Sequence, residues 1–281
     1  MAGLAVFGIT GRMGQSVLRA LRESSVARLT LSGALASASS ARLGHDAAAE
    51  GPPTGVLVTA VPQRALAGAA VAMDFSVPQC VAEHARACRD LEVPLLVGAT
   101  GLDRETQAAL EAAAARVPVL IAPNTSVGVA VLDRLVELAA AALKEGYDVE
   151  VSEAHHRMKR DAPSGTALAL GETVARVHGK ALSELAVYER HAAREPRAPG
   201  SIGFAVVRAG DIVGEHTVTF AAAGERVELT HRATDRLIFA RGALRAAEWL
   251  IGRPPSLYRM ADVLGLDERA VKVMDSRRAH R

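Results

Sequence analysis

A chain of 281 residues with 49% hydrophobic, 23% charged and only 3% aromatic residues is too apolar to be disordered, is long enough for two domains, and must build its core from Ala, Val and Leu. The net charge of +2 comes from scattered groups with no dense Lys/Arg stripe, which argues against nucleic-acid binding; the basic ending "SRRAHR" reads as a solvated tail. No apolar run reaches membrane-spanning length and "MAGLAVFGITG" lacks the features of a signal peptide, so a cytoplasmic protein without a membrane partner is expected.

The first part alternates apolar runs with helical patterns. Strands are predicted at 3–8, 29–35, 70–76, 93–101 and 117–124, with a further candidate at 55–59. Helices are predicted at 11–24, 77–90 and 103–116. Strands that alternate with helices of ten or more residues imply βαβ units and a parallel sheet, and continuous apolar runs are what strands covered on both faces require. Cys80 and Cys88 lie on the 77–90 helix with no second pair of ligands, and are read as free thiols in a reducing compartment.

After Asn124 the pattern changes. A long amphipathic helix (127–145) leads to an alternating, half-exposed strand (147–154) and a helix ending near His178. A polar loop (188–201) and two or three strands within 202–233 follow, with a hairpin near Ala223 and Gly224. This is an α+β domain with an open mixed sheet. A further helix begins near Arg236.

Two stretches carry chemistry. "GITGRMG" places Gly8, Gly11 and Gly14 between a strand and a helix. Glycines permit the tight turn and let backbone N–H groups approach a pyrophosphate on the positive helix terminus, and Arg12 adds a charge. Such a turn can also exist for packing alone; at the first strand of a βαβ series nucleotide binding is the stronger reading. An acid for the ribose hydroxyls is expected at the end of the second strand, but "ALASASSARLG" offers Ser37, Ser39, Ser40 and Arg42 instead, which leans toward NADPH over NADH. "GATG" (98–101) and "APNTS" (122–126) also end strands where open α/β sheets bind ligands, though each is equally a turn.

The second stretch is "EAHHRMKRDAPSGTALALGE" (153–172). Pro163, Ser164 and Thr166 mark a helix start, and Gly165 lets backbone approach a ligand. Such a terminus holds a carboxylate by roughly 0.3–1 kcal/mol when exposed and about 2 when partly buried. Lys159 supplies an ammonium, and His155 and His156 titrate near neutrality and point to opposite faces of a strand. Glu153, His155 and His156 are not read as a zinc site, because the spacing is not HExxH and adjacent histidines chelate one ion poorly. Each residue also has a plain structural reading, as a surface histidine or a helix cap; the combination is what favours chemistry.

This stretch closely resembles the signature of the dihydrodipicolinate (4-hydroxy-tetrahydrodipicolinate) reductase family, and the resemblance extends along nearly the whole chain through "GITGRMG", "GATG", "APNTSVGV" and "GFAVVRAGDIVGEHTVTF". It implies an N-terminal Rossmann-like dinucleotide-binding domain formed by 1–126 and 237–281, and a substrate-binding and tetramerisation domain at 127–236. It further implies His155 as proton donor or acceptor and Lys159 as proton donor, with His156, Ser164, Gly165 and Thr166 on the substrate carboxylates. Gly8, Ile9, Thr10, Gly11, Arg12, Met13, Gly98, Ala99, Thr100, Ala122, Pro123, Asn124 and Thr125 would line the cofactor, with Arg236 reaching it. Ala36 and Ser37 occupy the ribose-facing positions where members often carry an acid or an arginine, and Thr125 stands where an aromatic is common. The implied activity is NAD(P)H-dependent reduction of a small cyclic dicarboxylate in the diaminopimelate route to lysine. Two rivals use the same features: another NAD(P)-dependent dehydrogenase of a small dicarboxylate such as aspartate, and a non-catalytic nicotinamide-nucleotide sensor.

Overall fold

The structure, a computed structural model, describes residues 1–23, 28–191 and 194–266, so the basic tail lies outside the described residues. In chain order the elements are β1 (Ala2–Phe7), α1 (Arg12–Glu23), β2 (Leu29–Leu35), β3 (Val58–Thr59), α2 (Pro62–Leu66), β4 (Val71–Asp74), α3 (Pro78–Asp90), β5 (Leu95–Val97), α4 (Arg104–Ala114), β6 (Pro118–Ile121), α5 (Val127–Ala142) and β7 (Asp148–His155). There follow α6 (Gly165–Val177), α7 (Leu182–Leu185), β8 (Ala186–Val187), β9 (Ile202–Arg208), β10 (Gly214–Ala222), β11 (Glu225–Ala233), α8 (Leu237–Leu250), β12 (Ser256–Tyr258) and α9 (Met260–Val263).

The chain divides into two compact units, Met1–Val127 with Leu237–Arg281, and Gly128–Arg236. In the first, seven parallel strands run in the order β12-β6-β5-β4-β1-β2-β3. The middle strands β1, β4 and β5 are buried on both faces, with Leu4 to Phe7, Val71 to Met73 and Leu95 to Val97 fully enclosed. A core short of aromatics closes by bringing backbones together. A Cβ on Gly33 would stand 1.7 Å from the Ala65 carbonyl oxygen, and one on Gly242 1.9 Å from that of Thr125, so α2 and α8 approach where only hydrogen fits. The 55–59 strand shrinks to the two residues of β3, because Leu57 is drawn into a bridge with Asp46.

The second unit holds a mixed five-stranded sheet, β11-β10-β7-β9-β8, in which β7 pairs parallel with β9 and antiparallel with β10. Alternation along β7 turns Val149 and Val151 onto α5 and α6, where they join Leu132, Val136, Leu170, Val174, Phe204 and Phe220 in one core. The opposite face carries Ser152, Ala205, Thr217 and Thr230, and Ser152, Ala205 and Thr230 are exposed. The β10–β11 hairpin turns at Ala223 and Gly224. Among the described residues no helix is long and apolar enough to cross a membrane.

Candidate active site

Sheet register assembles the first cluster, which lies wholly in the second unit. β7 pairs Glu153 with His216 of β10 and His155 with Arg208 of β9, so four polar side chains meet at the end of an otherwise apolar face. The Glu153 side chain is fully buried. Its oxygens accept from His155 Nδ1 at 2.6 Å, from Arg208 Nη1 and Nη2 at 2.7 Å each, and from the Ser164 amide at 2.9 Å. Burial pushes the Glu153 carboxyl up, but these donors outweigh it and hold the group below the ordinary glutamate value. Burial lowers His155, and the carboxylate offsets that only in part. His216 packs edge-on against His155 with ring centroids 5.1 Å apart, and burial holds it down to about 4.

Ser164 caps α6, its hydroxyl accepting from the Ala167 amide at 3.2 Å and contacting His216 Nε2 at 2.9 Å. The residue is buried and all its polar groups are engaged, so it supports the helix start from within the fold. Gly165 and Thr166 open the first turn of α6. Gly165 is exposed, lies outside the left-handed region, and a Cβ there would meet nothing within 4 Å. The fold does not require this glycine. His156 is half-buried just past β7. Lys159, expected as a mobile ammonium, is held by Asp161 at 2.8 Å, and this bond keeps the Asp161 carboxyl below its usual range. Arg208 also donates to the Asp161 carbonyl oxygen at 2.6 Å, so one guanidinium links the Glu153 and Lys159 ends of the cluster.

The second cluster lies in the first unit, at the carboxyl edge of the parallel sheet. There the segments Gly8 to Met13, Ala36–Ser37, Gly98 to Thr100 and Ala122 to Thr125 follow β1, β2, β5 and β6. Gly8 has φ 76°, and a Cβ on it would stand 2.7 Å from the Phe75 carbonyl oxygen; one on Gly14 would stand 2.5 Å from that of Ile9. The Gly8 and Ile9 amides both donate to the Leu35 carbonyl oxygen, and the Gln15 side chain ties Ile9 to Ala47. The first turn of α1 holds no acid. Tight glycines, an unopposed helix terminus and Arg12 on the surface fit the pyrophosphate of a dinucleotide. Ile9 is enclosed in the core, and its amide and carbonyl oxygen are both engaged within the protein.

Two expectations change, at Arg42 and Thr125. Arg42, expected to be open toward a 2′-phosphate, donates from Nη2 to the carbonyl oxygens of Asp46 and Ala48 and so braces its own loop. Thr125 is buried and donates to the Phe239 carbonyl oxygen at 2.7 Å, a packing role for its side chain. Arg236 is the exposed last residue of the second unit, just ahead of α8. Asn124 turns its carboxamide oxygen onto the Ser126 amide.

Sequence reasoning missed Arg208, His216 and Asp161 in the first cluster, and in the second Phe75, whose ring fills the space over Gly98 where a Cβ would stand 2.2 Å away. Beside Phe75, the buried Asp74 accepts from His84 at 2.7 Å and from the Ser76 amide at 2.8 Å, pinning the loop after β4. Cys80 and Cys88 are free, and burial raises both thiols. Among the described residues no group of three or more His, Cys, Asp or Glu side chains is placed to hold a metal.

The chain matches the family models described as Dihydrodipicolinate reductase, N-terminus, over residues 2–125 and Dihydrodipicolinate reductase, C-terminus, over residues 128–264. It is 52% identical over 264 residues to the 4-hydroxy-tetrahydrodipicolinate reductase of Thiobacillus denitrificans, covering 94% of this chain and 98% of the relative. It is 49% identical over 268 residues to that of Anaeromyxobacter dehalogenans, covering 95% and 98%. Its fold is like that of the dipicolinate-bound dihydrodipicolinate reductase from Paenisporosarcina sp. TG-14, with a TM-score of 0.74 at 22% identity over 92% of this chain and 97% of the other.

Proposed function

The chain belongs to the dihydrodipicolinate reductase family, and from that membership and the His155 cluster we infer that it is an NAD(P)H-dependent oxidoreductase of lysine biosynthesis. It reduces 4-hydroxy-tetrahydrodipicolinate, in its dehydrated form, to tetrahydrodipicolinate. The observation that carries the reading is the pairing of an acid–base histidine with a helix terminus whose glycine the fold does not need.

A bound reduced nicotinamide supplies the hydride; every other task falls to this chain. The first turn of α6, through Gly165 and Thr166, receives a substrate carboxylate, with His156 beside it. Lys159, parked on Asp161 in the free protein, transfers to the arriving dianion, because two carboxylates outbid one exposed partner. The electron pair delivered with the hydride comes to rest on the ring, and a proton from Lys159 or His155 neutralises it. The same dianion raises the proton affinity of His155, which burial otherwise lowers. Gly8, Thr10, Gly11, Arg12, Met13, Gly98, Ala99, Thr100, Ala122, Pro123 and Asn124 serve the dinucleotide, with Arg236 also assigned to it.

NADPH is favoured on one ground: residues 36–40 after β2 offer Ser37, Ser39 and Ser40 and no carboxylate to repel a 2′-phosphate. The unit at 128–236 is assigned to substrate binding and to a homotetramer through the sheet face on which Ser152, Ala205 and Thr230 are exposed. Two free thiols suit the cytoplasm. His155→Gln tests the reading: turnover should be lost while dinucleotide binding persists, and full turnover in a folded variant would refute it.

A further inference from the structure

The geometry points to Glu153 as the residue that positions His155, holding its Nδ1–H and so making Nε2 the nitrogen that exchanges the proton; this rests on the acid–base role inferred above for His155. A carboxylate only accepts hydrogen bonds, so the 2.6 Å contact places the proton on His155 Nδ1. Glu153 cannot turn away. Both oxygens are occupied by the Arg208 fork and the Ser164 amide, and Arg208 is itself anchored on the carbonyl oxygens of Val207 and Asp161. The free edge of the ring faces Gly214. A Cβ there would stand 3.1 Å from Nε2 and 3.4 Å from Cδ2, and its next neighbour, at 3.9 Å, is again an atom of the same ring. Gly214 therefore keeps the reacting edge clear.

The charged and titratable groups that face His155 are Glu153 from β7, Arg208 from β9, His216 from β10, and Lys159, itself paired with Asp161, from the loop ahead of α6. Glu153 is the anion in hydrogen-bond contact with the ring, so it favours the imidazolium against Arg208 and Lys159. A glutamine at 153 keeps the shape, removes the charge and turns an amide N–H₂ toward the Arg208 guanidinium. It frees the ring to adopt either tautomer.

Glu153→Gln should lower kcat about 100-fold, the scale of a misplaced reacting group. The ionisation of His155 should move to lower pH, with KM for the dinucleotide unchanged. Gly214→Ala should lower kcat in a protein with normal nucleotide binding. Nitrogen-15 histidine spectra of the ligand-free wild type at mildly alkaline pH, assigned by the signal lost in His155→Gln, should show the neutral Nδ1–H tautomer; this measurement stands even if Glu153→Gln does not fold. The Nε2–H tautomer would overturn the proposal. So would an inactive His155→Gln beside a Glu153→Gln that keeps wild-type kcat and pH profile. A fully active His155→Gln would instead remove the acid–base role beneath it.

Discussion

Gly165→Ala separates what the fold needs from what the ligand needs. Gly165 opens α6, is exposed, has no left-handed backbone, and a Cβ on it would meet nothing within 4 Å. Alanine at such a position reduces the freedom of the unfolded chain and suits a helix, a gain of about 0.4–1 kcal/mol. At about 2–4 °C per kcal/mol for a chain of this size, the melting temperature should rise by about 1–4 °C. Under the proposed role of Gly165, the same methyl would crowd a substrate carboxylate at the first-turn amides. Loss of a charge-assisted hydrogen bond costs about 1.5–3 kcal/mol, or about 10- to 150-fold in kcat/KM. The two effects have opposite signs in one protein. A thermal melt reads the first; the fall in reduced-nicotinamide absorbance over a range of substrate concentrations reads the second. A variant that melts lower, or one that keeps the wild-type kcat/KM, would refute the reasoning.

Two other perturbations test separate links. Lys159→Met should reduce kcat by at least about 100-fold, the middle of the range for a lost general acid. It should shift stability by less than about 1 kcal/mol, because the partner Asp161 is largely exposed; unchanged turnover would favour a sensor. His216 is buried, and burial first, then His155, lowers it to about 4. Its neutral form therefore contributes stability that is complete above about pH 6.5 and is lost as pH falls toward its folded value. The window integrates to about 3 kcal/mol. Urea midpoints measured across it should fall steeply in the wild type and less steeply in His216→Gln; parallel curves would contradict the assignment.

The parallel sheet was legible because its strands are continuous apolar runs and its helices exceed ten residues. What escaped is short: α2, α7, β8, β12 and α9 span two to five residues each, too few for a period to register. The helix start at Ser164 and the adjacent His155 and His156 at the end of β7 were legible because they lie in one short stretch. Arg208 and His216 were not, since sheet register brings them to His155 and Glu153 from 53 or more positions away. The loop after β2 gave the opposite lesson. Composition showed an arginine near the ribose position, but only the folded loop shows that Arg42 holds the carbonyl oxygens of Asp46 and Ala48. Thr125 is a similar case: a substitution at a cofactor position proves to be a packing contact with Phe239.

The most direct test of the central claim is reduced-nicotinamide oxidation with freshly generated 4-hydroxy-tetrahydrodipicolinate, run in parallel with NADPH and NADH. The account predicts rapid, substrate-dependent oxidation that His155→Gln abolishes, with NADPH used better than NADH. Equal use of both dinucleotides would discard the argument from residues 36–40 and leave the reductase intact. Tight dinucleotide binding with no oxidation of either would contradict the assigned reaction itself.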